Sequence, residues 1–188
     1  KEVVTGIVQR VMGKNVSVNL GKADGILSEN EQVKGEEFEP TERIKVYILE
    51  VKDTPKGPRI LLSRTHPGLV KRLFESEVAE VKDGTVEIKS IAREAGSRTK
   101  IAVWSNDPDV DPVGACVGMN GARVNSIVEE LRGEKIDIIN WDENPAILIE
   151  NALSPAKVIA VMADPDEKTA LVVVPDYQLS LAIGKEGQ

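Results

Sequence analysis

Two short glycine patterns carry the strongest chemical signal in this 188-residue chain: Gly118-Met119-Asn120-Gly121 and Gly184-Lys185-Glu186-Gly187. Each directly follows an aliphatic residue, Val117 in one case and Ile183 in the other. Glycine lets a backbone approach a bulky ligand and adopt positive φ without a Cβ clash. Where such a loop opens a helix, the free N–H groups and the helix dipole favour an anion such as a phosphate. Arg123, two residues past the first loop, and Lys185, inside the second, would supply charge where phosphates lie. A tight turn between packed helices explains any single pattern of this kind equally well; two copies in one context favour the ligand-binding reading.

Other reactive side chains are weaker candidates. Cys116 falls in an apolar helical run and His66 directly precedes a helix-starting proline, so packing and a linker position account for them better than a nucleophile–base pair. One histidine and one cysteine are too few for a zinc site. Asp107, Asp109 and Asp111 are spaced like the start of a calcium loop. Pro108 and Pro112 interrupt it, and the expected reading is a solvated loop that caps a helix. Trp104 and Trp141 end strands and are expected in a core or a domain interface. No catalytic residue, metal ligand or cofactor site is assigned.

The elements that must position the loops follow from the apolar period. Val16, Val18 and Leu20 alternate with Asn15, Ser17 and Asn19, the mark of a half-buried strand. Around it, Val3 to Val11, Ala23 to Leu27, Ile44 to Val51 and Pro58 to Thr65 also read as strands. A polar stretch from Ser28 to Glu42 separates two of them, and its charged segment Glu29 to Glu42 reads as a solvated barrel loop, with a protein contact as the alternative. Five strands in about 65 residues predict a small closed barrel of the OB type. At His66-Pro67 the period changes to 3.6, with Leu69, Val70, Leu73, Phe74, Val78 and Val81 on one stripe. A hairpin (Val86 to Ala92, Thr99 to Ser105), a short helix (Val113 to Val117), a helix facing inward with Val124, Ile127, Val128 and Leu131, and a strand (Lys135 to Trp141) complete an α-β-β-α-α-β order.

Asn144-Pro145 begins that order again. Ile147, Leu148, Ala152 and Leu153 form the apolar side of a helix; strands Lys157 to Ala163 and Thr169 to Pro175 follow, then a helix from Tyr177 to Ile183 and the second glycine loop. Residues 1–66, 67–141 and 142–188 are therefore expected to be three domains, the last incomplete.

With 41% hydrophobic and 29% charged residues, the composition excludes a disordered chain, and no apolar run approaches the roughly 18 residues of a membrane span. A single cysteine asks for no oxidising compartment, so a cytoplasmic chain is expected. The net charge of −7 argues at face value against a polyanionic partner. By segment it is +1, −3 and −5 over the three expected domains, so the placement of each Lys and Arg decides the question.

A Gly-x-x-Gly loop clamping a single-stranded backbone beside an aliphatic groove is how KH modules read about four nucleotides. The run Asp111 to Val124, with Gly133-Glu134-Lys135-Ile136-Asp137 and Trp141, resembles the first KH domain of the NusA family of bacterial transcription termination and antitermination factors. Leu179 to Gln188 is similar to the second. The resemblance implies an S1 barrel followed by two type II KH domains, the second lacking its last helix and strand. It also implies a monomeric factor that binds single-stranded RNA and modulates pausing, termination and antitermination. RNA polymerase, reached through a domain absent here, and antitermination factors are its implied partners. The RNA-binding residues are then Val117, Gly118, Met119, Asn120, Gly121, Ala122 and Arg123, with Ile183, Gly184, Lys185, Glu186, Gly187 and Gln188 in the second copy. The barrel offers only Phe38 and Tyr47 as aromatics, so its contacts are expected to be electrostatic, through Arg10, Lys14, Lys52, Lys56, Arg59 and Arg64. The alternative from another class is a scaffold that docks polymerase or antitermination partners with little RNA binding of its own.

Overall fold

A computed structural model describes all 188 residues. The alternating segments at the start form β1 (Val3–Met12), β2 (Asn15–Asn19), β3 (Asp24–Leu27), β4 (Arg43–Thr54) and β5 (Gly57–Ser63), closed in the order β1-β2-β3-β5-β4. Only β3 and β5 run parallel. Val8, Val16, Val18, Leu27, Phe38, Ile44, Val46 and Leu62 fill the interior. The space is tight: a Cβ on Gly6 would stand 2.3 Å from Val18. β1 and β4 are antiparallel with Val3 opposite Tyr47 and Ile7 opposite Arg43, so the Met12 end of β1 and the Thr54 end of β4 point in opposite directions.

The next unit consists of α1 (Pro67–Glu77), α2 (Ala79–Lys82), β6 (Val86–Glu94), β7 (Arg98–Ser105), α3 (Pro112–Val117), α4 (Ala122–Glu130) and β8 (Lys135–Asn140). Its sheet runs β6-β7-β8 with β7 and β8 parallel. The stripe of α1 is buried at Leu69, Val70, Leu73 and Phe74, against Val86, Ile101, Val103, Cys116, Ile127 and Leu131. His66 is more than a linker: its Nδ1 accepts the Gly68 N–H at 2.8 Å and caps α1. The short α2 was not legible in the sequence, because Val78 breaks the helix while keeping the apolar stripe intact.

The remaining residues form α5 (Pro145–Ala152), β9 (Ala160–Asp164), β10 (Thr169–Val173) and α6 (Leu179–Ile183). Asn144 caps α5 as expected, accepting the Ala146 N–H. α5 packs against β8, and the Lys100 ammonium donates to the Ala152 carbonyl. Ile159, Met162, Leu171, Leu179, Leu181 and Ile183 stay exposed, and this part buries only Ala156. No helix is long and apolar enough to cross a membrane.

The polar stretch between β3 and β4 is not a solvated loop. Val33 and Phe38 are buried and Glu36 is drawn in by Arg64, because the segment is the wedge between the barrel and the first α–β unit. Arg64, expected as a phosphate contact, is 1% exposed. Its guanidinium grips both oxygens of Glu36 at 2.8 and 2.7 Å, and donates to the carbonyls of Lys45 and Glu130. A charge taken out of water must be matched by such bonds, so Arg64 has nothing left for RNA. Arg93 repeats the device from the other side, pairing with buried Glu134 and donating to the His66 carbonyl. Tyr47 reaches out of the barrel into the neighbouring core and stacks on His66 at 4.5 Å.

Replacing Arg64 by Met leaves the Glu36 carboxylate buried without its partner and is expected to cost about 3–5 kcal/mol of stability. The matched Arg64→Met, Glu36→Leu pair removes both charges and is expected to regain most of that loss. Urea unfolding of the three chains measures both effects.

Candidate nucleic-acid interface

Asp111 caps α3 by accepting the Val113 N–H, with Pro112 at the first helical position. The Asp107 side chain closes a local turn onto the Asp109 N–H, in keeping with a capping loop. α3 ends at Gly118, whose N–H returns to the Gly114 carbonyl. The chain then takes three unusual steps. Gly118 sits at φ 77°, ψ 173°, Asn120 at φ 53°, ψ 27°, and Gly121 at φ 76°, ψ 13°, before α4 begins at Ala122. A side chain at Gly118 would be strained in this backbone and would press its Cβ to 2.7 Å from the Arg123 stem. The second loop repeats the first: Gly184 at φ 75°, ψ −178°, Glu186 at φ 54°, ψ 24°, and Gly187 at φ 77°.

Around the first loop the middle residues point outward, with Met119 85% exposed. Val117 and Val124 are half-buried beside it, and Ala122 is exposed. Ile136 and Ile138 line the adjoining edge strand β8, over which α3 and α4 pack. This is a strip of aliphatic side chains next to a loop of exposed backbone, as a groove for unstacked bases requires.

The second loop lies against the hairpin of the first unit. Gln188 Nε2 donates to Glu94 at 2.6 Å and to Ser97 at 3.0 Å. Between them opens a cleft of about 940 Å³, lined among others by Arg98, Lys100, Tyr177, Leu181, Ile183 and Lys185. Arg98 is held by Asp137 at 2.5 Å, whose hydrogen bond and charge raise the guanidinium pKa further. Arg98, Lys100 and Tyr177 were not singled out in the sequence, because the register that gathers them joins two units far apart in the chain.

Family comparison assigns residues 1–63 to the S1 RNA binding domain, 64–141 to a NusA-like first KH domain and 145–188 to a NusA-like second KH domain. The whole chain is 60% identical to the transcription termination/antitermination protein NusA of Bacillus subtilis, over 51% of that protein. The corresponding proteins of Mycobacterium tuberculosis strain H37Rv and Thermus thermophilus are 50% and 48% identical over the whole chain, which covers 56% and 49% of them. The chain belongs to the NusA family. It spans about half the length of the curated relatives it matches.

As a NusA-type S1–KH–KH region, the chain distributes its charge differently from the expectation. Arg123 does not stand free beside the first KH loop: Nη1 donates to Glu80 at 2.9 Å and to the Ala115 carbonyl at 2.7 Å. With Met119 and Asn120 uncharged, that loop is close to neutral, whereas Lys185 in the second loop has no ion-pair partner. The S1 cations do not form one patch. Arg10 and Lys14 sit towards the Met12 end of β1; Lys52, Lys56 and Arg59 belong to the β4–β5 hairpin, which projects the opposite way. Lys14 pairs with Glu29 at 3.3 Å and Lys52 with Glu50 at 3.6 Å.

The S1 aromatics are also spent on structure. The Arg132 guanidinium lies 4.8 Å from the Phe38 ring centroid and Arg64 approaches the same ring, while Tyr47 is stacked on His66. Trp104 departs from its expected place. It is 42% exposed and meets Trp141 edge-on at 5.8 Å, with the Lys89 ammonium 5.0 Å from the Trp141 ring. The reason is strand alternation: Ile101 and Val103 take the core side of β7, which turns Trp104 to the other face.

Cys116, in α3, is fully buried. Burial pushes its thiol up to about 11, the Glu80 carboxylate adds to the rise and the Arg123 guanidinium opposes it. The native chain is expected to resist alkylation at about pH 8 and to react once unfolded. Because the unfolded thiol ionises first, stability is expected to fall as pH rises from the ordinary thiol range towards 11. A Cys116→Ser chain, followed by urea unfolding across that range, is expected to lose this component.

Proposed function

We propose that this chain is the RNA-binding region of a bacterial transcription termination/antitermination factor, and that it takes one single strand of RNA across both KH loops. The observation that carries the reading is the repeated backbone of Gly118–Gly121 and Gly184–Gly187, two loops of the same shape. In each, exposed backbone N–H groups receive a phosphate, and the aliphatic strip beside the loop receives the unstacked bases. Lys185 adds a cation at the second loop, while the first relies on backbone dipoles. The S1 barrel contributes through Arg10, Lys14, Lys52, Lys56 and Arg59, as long-range attraction rather than base stacking. In the cell the chain acts as a cytoplasmic monomer, with RNA polymerase and antitermination factors as partners of the whole protein.

Fluorescence anisotropy with a labelled A-rich single-stranded RNA, and duplex DNA as control, tests this. The RNA is expected to bind at low salt and the duplex not. Log affinity should fall with log salt at a slope of about −0.7 per phosphate neutralised. The Met119→Asp, Asn120→Asp chain is expected to fold normally and to lose binding at the first loop, because two carboxylates face the phosphate. No RNA binding by the parent chain at low salt would favour the scaffold reading.

A further inference from the structure

We propose that Arg123 and Glu80 are positioning residues that brace the first KH loop in its conformation, and that Arg123 is not a phosphate ligand. The proposal rests on the RNA-binding reading above and names how the loop of that site is held. Three observations meet at this side chain. Nη1 of Arg123 bridges the Glu80 carboxylate of α2 and the Ala115 carbonyl near the end of α3. Its stem lies against Gly118, so close that a Cβ there would stand 2.7 Å from Cγ and 3.0 Å from the Arg123 backbone nitrogen. Arg123 itself is the second residue of α4. One side chain therefore ties the helix entering the loop, the first glycine and the helix leaving it to a fourth point on α2.

The chemistry suits that task better than ligand binding. The last carbonyls of a helix lack partners within it, and a guanidinium near a helix C-terminus meets both that need and the dipole there. Arg123 and Glu80 are each about one-third exposed, at 34% and 33%, so the pair is partly withdrawn from water and less screened than a surface pair. A phosphate recruiting Arg123 would have to displace a carboxylate already in place at 2.9 Å. The loop then presents backbone N–H groups whose geometry is fixed before RNA arrives, which lowers the ordering cost of binding.

Glu80→Gln gives the two roles opposite signs. If the pair is a strut, Glu80→Gln and Arg123→Gln both weaken single-stranded RNA binding, by about five- to tenfold. The salt slope of the remaining binding stays that of the parent. If Arg123 binds a phosphate, Glu80→Gln frees it and tightens binding, while Arg123→Gln makes the salt slope shallower by about 0.7; either result overturns the proposal. A second readout needs no RNA: amide hydrogen exchange and backbone NMR shifts at Met119, Asn120 and Gly121. Both substitutions are expected to alter these amides while those of the barrel stay unchanged. Unaltered loop amides in both chains would overturn the strut even where RNA binds, and altered amides without RNA binding would uphold it while refuting the RNA-binding reading. Glu80→Gln is nearly isosteric at a part-exposed site, so it supplies the test if Arg123→Gln does not fold.

Discussion

Charge withdrawn from water has to be matched group by group, and the seam between the S1 barrel and the first KH domain is organised by that constraint. Glu134, 1% exposed, accepts from Arg93, the Gly96 N–H and the Thr99 hydroxyl. Arg93 in turn donates to the His66 carbonyl, at the point where the barrel hands over to α1. Arg64 closes the other side through Glu36 and the carbonyls of Lys45 and Glu130. No buried side-chain nitrogen or oxygen is left unpartnered. A hydrophobic contact would tolerate sliding; these bonds specify one relative placement of the two domains, with Phe38, Tyr47 and Val33 packed where the arginines put them.

The same constraint shapes the nucleic-acid surface. Arginines that hold domains together cannot hold phosphates, and the ion pairs of Arg64, Arg93, Arg98, Arg123 and Arg132 remove much of the strong cationic chemistry from the surface. What remains at that surface is backbone dipole at the loops, lysines on long stems, the unpaired Arg10 and Arg59 of the barrel, and apolar strips. A chain of net charge −7 can work this way because a helix N-terminus offers partial positive charge that no residue count records.

The barrel, the α-β-β-α-α-β order and the glycine loops were legible in the sequence because each rests on local periodicity: alternation in β2, the stripe of α1, capping at Asn144-Pro145. The seam was not. Arg64 ends a strand in a basic barrel and looks like any surface cation; its partner lies 28 residues back in a stretch whose charge density suggested solvent. Nothing within that stretch distinguishes Glu36 from Glu37 or Glu39, and only closure of the barrel turns Glu36 inward. The partners of Arg123 were hidden for a related reason. Two residues past a glycine loop is a fitting place for a phosphate ligand, but Glu80 reaches Arg123 from 43 residues back in the chain, a contact that no local period records.

The two loops separate backbone from side chain. Asn tolerates the left-handed conformation found at Asn120, whereas Glu186 takes the same conformation with no such preference. The identity of the middle residue therefore does not produce the shared shape. The flanking glycines, at positive φ in both copies, permit it after the helix that enters each loop, and the middle residues follow. That frees those two positions to differ in charge without changing where the backbone N–H groups point: Met-Asn in the first loop, Lys-Glu in the second. A difference in salt response or base preference between the two KH domains must then arise from these middle residues and from the apolar walls, because the loop backbone is the same in both.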